Sequence, residues 1–116
     1  MRTGLVRKYG YRNTVPQYIN VVLTHHRCSK RVGEVAMKMY TSVALKSSFS
    51  GIYPSMLAMT IVNLAAMECY EGIPSTAWSG NDTCSYPTLL EHSKEIKKIL
   101  DKTDDFPNLK RHKIGN

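Results

Sequence analysis

The sequence predicts an all-α fold, an orthogonal helical bundle of about four or five helices around a buried central helix. Three observations predict it. Residues 54–66 place Met56, Leu57, Met59, Ile61, Val62 and Leu64 among small Ala58, Ala65 and Ala66, so this stretch is apolar on nearly every face. A surface helix keeps a polar stripe, whereas a helix apolar all round is enclosed by others. The flanking segments carry apolar residues at three- and four-residue steps, the mark of one-sided helices, and no strand-like alternation stands out.

The elements follow in order. Residues 1–13 form a basic arm containing Arg2, Arg7, Lys8 and Arg12, without a usable period. Thr14-Val15-Pro16-Gln17 has the form of a capping box, a hydroxyl followed three residues later by Gln. The helix it opens spans about 15–26, with Val15, Tyr18, Ile19, Val22, Leu23 and His26 on one stripe. A second helix is expected over roughly 30–48, with Val32, Val35, Ala36, Met39 and Val43 inward. Gly33 weakens its first turn by about 1 kcal/mol relative to Ala. Ser47–Gly51 breaks the chain before the central helix, which Pro54 opens because its missing N–H needs no partner in a first turn. Gly72 followed by Pro74 is the expected stop signal for that helix. A polar loop with Trp78 covers 72–85, and a last helix runs from Ser85 to about Lys102 with Leu89, Ile96 and Leu100 inward. Glu91 near its start and Lys97, Lys98 and Lys102 near its end suit the helix dipole. Residues 103–116 read as a polar, basic tail. The expected core is Met56, Leu57, Ile61, Leu64 and Ala65, with Val22, Met39, Val43 and Ile96 around them.

At 116 residues the chain is one domain, with 42% apolar and 22% charged residues, an ordinary globular balance. The net charge of +7 is unevenly spread. Residues 1–46 hold nine Lys/Arg against Glu34 alone, whereas residues 47–93 hold no Lys or Arg. That asymmetry favours an acidic partner at the front half. Cys28, Cys69 and Cys84 are odd in number and lack CxxC spacing, so a reducing compartment without a disulfide framework is expected. No secretory signal is visible in the first residues, so the Asn81-Asp82-Thr83 acceptor pattern carries no weight. Pro54–Tyr70 is at the short limit for a membrane span and is interrupted by Thr60, Asn63 and Glu68, so a buried helix is expected instead.

The order of segments resembles the second, C-terminal box of a cyclin. Thr14-Val15-Pro16-Gln17-Tyr18-Ile19 occupies the position of its first helix start, Val32 to Ser48 that of its second helix, and Tyr53-Pro54-Ser55-Met56-Leu57-Ala58 that of its buried Ala-rich helix. Trp78 and Tyr86-Pro87-Thr88-Leu89-Leu90 resemble the family's Trp and last helices. The resemblance spans residues 14–102, with the family's short helix after the Trp compressed to Ser79–Ser85. The first box, with the residues that engage the kinase and dock substrates, has no matching positions here. The resemblance therefore implies half of a cyclin, with a cyclin-dependent serine/threonine kinase as partner and cell-cycle or transcriptional control as the role. It implies binding rather than catalysis, no cofactor, and a nuclear or cytoplasmic location.

Among individual residues, the cations Arg7, Lys8, Arg12, Arg27, Lys30 and Arg31 are the candidate partner contacts. Their bland reading is a solvated helix face plus a basic arm. A small nucleic-acid-associated helical protein is the alternative function, although only Tyr9 and Tyr11 interleave aromatics with these charges. His25-His26-x-Cys28, with His92 or Cys84, lacks the paired spacing of structural zinc sites. A Cys–His nucleophilic pair has no oriented base or oxyanion hole in sight. Gly4, Gly10, Gly33 and Gly51 are scattered, so no phosphate loop is present. Lys110–Lys113 has the composition of a short nuclear import signal.

Overall fold

The computed structural model describes residues 15–44, 54–73 and 86–111. They contain five helices: α1 (Val15–His25), α2 (Lys30–Ala44), α3 (Pro54–Glu68), α4 (Tyr86–Leu100) and α5 (Pro107–Arg111). No strand occurs among the described residues. The all-α class is thus the observed one. Thr14, the arm before it and the Trp78 loop lie outside the described residues.

Helix α3 is the hub, with α1, α2, α4 and α5 all packed on it. Every residue from Met56 to Ala66 is buried. The five expected core residues of α3 are all buried, and Met39, Val43 and Ile96 pack around them, with Val22 partly buried beside them. Two polar side chains share this interior. Thr60 donates its hydroxyl to the Met56 carbonyl at 2.8 Å, back along its own helix. Asn63 faces Ser93 of α4 at 3.5 Å, a long contact between two buried groups. Ser93 takes the place in the α4 stripe between Leu89 and Ile96, both fully buried.

The helix ends differ from the expected punctuation. After α3 the chain turns at Tyr70, which adopts a left-handed φ of 57°. The Glu71 N–H donates to the Ala66 carbonyl at 2.8 Å and the Tyr70 N–H to the Met67 carbonyl at 3.2 Å. These two bonds form a Schellman motif, which satisfies carbonyls that the helix end leaves without partners. The stop therefore falls at Tyr70, two residues before Gly72, because the bonding pattern fixes the left-handed position by distance from the helix end.

In the segment expected as a polar tail, Phe106 and Leu109 pack inward, while Lys110 and Arg111 are exposed. Phe106 and Leu109 are buried against α3, and Lys38 of α2 stands 5.9 Å from the centre of the Phe106 ring. Glu68, at the end of α3, is buried and accepts the Leu109 N–H at Oε1, 2.7 Å away. Its backbone carbonyl accepts the Asn108 side-chain amide at 2.9 Å. An acid supplied by α3 thus satisfies an amide in the first turn of α5, where negative charge also suits the dipole.

Candidate interaction surface

The turn between α1 and α2 gathers the charged residues that the sequence singles out. Just beyond α1 the chain turns at Arg27, which is left-handed at φ 53°. The Cys28 N–H donates to the Leu23 carbonyl at 2.9 Å and the Arg27 N–H to the Thr24 carbonyl at 3.2 Å, a second Schellman motif. Such positions favour glycine, since a side chain there crowds the backbone. Both ends in this fold instead carry a large exposed side chain, Arg27 and Tyr70.

Helix α2 begins directly afterwards. The Val32 N–H donates to the Ser29 hydroxyl oxygen at 3.3 Å, so Ser29 is its N-cap. The same hydroxyl donates to Glu71 Oε2 at 2.9 Å, joining this turn to the end of α3. Lys30 and Arg31 put two cations in a first turn that has no acid of its own, against the helix dipole. Glu71 brings an acid there from 42 residues away in the chain.

Between the two helices runs an open groove of about 550 Å³. From α1 and the turn after it the groove takes Asn20, Leu23, Thr24 and Arg27, and from α2 Lys30, Gly33, Glu34 and Met37. Each set follows the i, i+3, i+4, i+7 spacing of a single helix face. These faces border the core stripes, since Leu23 also packs against the core. Gly33 allows the close approach: a Cβ there would meet the Leu23 Cδ1 at 3.3 Å. Sequence reasoning treated Gly33 as a weakness in α2 and missed this use, which depends on a contact between helices.

The six candidate contacts divide accordingly. Arg27 and Lys30 are exposed and line the groove. Arg31 is exposed too, but its charge is felt by the Cys69 thiol, toward the end of α3. Arg7, Lys8 and Arg12 lie outside the described residues.

The nucleophile and metal candidates behave differently. Burial first, and then the Glu71 carboxylate, push the Cys28 thiol up from its ordinary value. Cys69 is also pushed up, chiefly by burial, with Arg31 pulling the other way and Glu71 and Glu68 adding to the rise. An activated cysteine needs the opposite shift. His26 is held below the usual imidazole range by burial and then by neighbouring His25, whose ring meets it edge-on at 4.8 Å between centroids. Among the described residues no three of His, Cys, Asp and Glu converge as a metal site requires. Cys84 lies outside them. Among the described residues, too, no helix is long and apolar enough to cross a membrane. The geometry places cations at the rim of an apolar groove. Compared with known proteins, the chain matches no family model, no curated protein and no solved structure.

Proposed function

We propose that this chain is a non-catalytic regulatory protein of the cyclin-box kind, whose partner is a cyclin-dependent serine/threonine kinase in cell-cycle or transcriptional control. The observation that supports the reading is α3, buried from Met56 to Ala66 beneath helices that precede and follow it in the chain. Pro54-Ser55 opens that helix, and the amphipathic α1 and α2 come before it. Nucleus and cytoplasm are the compartments this role implies.

The test offers purified kinase subunits to the immobilised full chain. One of them should be retained at micromolar concentration, while its catalytic rate stays near the unstimulated level, since these 116 residues hold no counterpart of the first box. Retention of none of them, or robust activation by this chain alone, sinks the reading. The exposed cations Arg27, Lys30 and Arg31 favour a second reading, association with nucleic acid. Duplex DNA titrated in parallel at several salt concentrations separates the two. A log–log salt slope of about 0.9 for each neutralised phosphate marks the second.

A further inference from the structure

We infer that the α1–α2 groove is a docking site for an acidic peptide segment that carries one large apolar side chain. The proposal stands apart from the kinase reading, because it rests on the groove itself. Its floor is apolar: Leu23 and Cys28 are half-buried there, and Met37 is one of two large hydrophobic side chains left exposed among the described residues. Gly33 lets Leu23 lie directly against the α2 backbone, so the floor is continuous across both helices. Methionine at such a surface adapts to apolar partners of different shape.

Charge selects the occupant. Arg27 and Lys30 stand at the end of the groove nearest the turn, whereas Glu34 lies one helical turn beyond Lys30. A segment with carboxylates at the Arg27 end and an uncharged or basic residue at the Glu34 end complements both. Nucleic acid fits less well, since its uniform phosphate charge would meet Glu34 and its bases an aliphatic floor. The chain's own residues 1–14 carry four cations and no acid, so they repel the same rim.

Arg27 is itself the side chain that the helix end presents to the groove. Glycine would relieve the left-handed conformation, yet the position carries an arginine at the lip of the groove. Arginine is also among the side chains most enriched where binding energy concentrates.

The test uses the full chain and fluorescein-labelled twelve-residue peptides of Glu and Asp, each with one central position set to Leu, Met, Phe, Trp or Ser. Fluorescence anisotropy at low salt should give Kd below about 100 μM for an apolar centre and at least tenfold weaker binding for Ser. Amide shift changes in the folded chain should cluster at Leu23, Cys28, Gly33 and Met37. Arg27→Gly should remain folded and lose at least tenfold in affinity, and Met37→Glu should do the same. The proposal is overturned if no peptide binds below about 1 mM, if the Ser peptide equals the others, or if both variants bind like the parent chain. Displacement of a bound peptide by duplex DNA at lower concentration also overturns it, in favour of a nucleic-acid surface.

Discussion

At Arg27 the backbone conformation and the side chain conflict. A left-handed residue other than glycine costs about 1–2 kcal/mol, of which glycine's own entropy would return part. Arg27→Gly should therefore raise stability by up to about 1 kcal/mol, read as a higher urea midpoint with unchanged slope. A fall in the midpoint would show that the guanidinium makes a contact worth more than the strain. One residue earlier, His26 links stability to pH. Its folded pKa lies below the unfolded value of about 6.5, so the unfolded chain takes up the proton first. The stabilisation is whole above about pH 6.5 and erodes as the pH falls from there towards the lower folded pKa. Thermal midpoints measured between pH 7.5 and 5.5 should thus drop less in His26→Asn than in the parent. Equal drops would mean that His26 titrates alike in both states.

Between elements, the junction at Ser29 and Glu71 is the place to test coupling. Ser29→Ala removes an N-cap and should cost about 1 kcal/mol. Glu71→Ala leaves Lys30 and Arg31 opposing the dipole without the nearby acid. In a double-mutant cycle the pair should couple by about 0.5 kcal/mol, a modest figure because the contact is exposed. Strict additivity would show that the hydrogen bond contributes nothing. This junction also shows how far the sequence could be read. Val32, Ala36, Met39 and Val43 announced the inner face of α2 because burial repeats with the helix. Glu71 gave no such sign, since its partner lies 42 residues away and no local pattern records a long-range contact. Phe106 and Leu109 escaped for another reason: two apolar residues three apart, among Asp and Lys, are too few to define a period. The groove is hidden too, because Leu23 fits the core stripe of α1 and no local pattern places Met37 opposite it.

For the whole molecule, stability rests on α3. Leu64 is fully buried at the centre of that helix, and Leu64→Ala should cost about 2–5 kcal/mol, a large share of the total for a domain this size. Denaturant titration with a loss below about 1 kcal/mol would mean the core relaxes around the deletion. The buried Glu68 carboxylate has an equally broad consequence, in the order of events at birth. Its amide partner, Leu109, follows it by 41 residues in the chain. A ribosome adding about 5–20 residues per second needs about 2–8 s to make that stretch. Until then the end of α3 is exposed with its acid unanswered, and burying a carboxylate without partners is unfavourable. Nascent chains stalled with Leu109 inside the exit tunnel should be cut by protease near Glu68, while chains released past that point should resist. The acid at the end of α3 thus meets its amide partner only once α5 has been made.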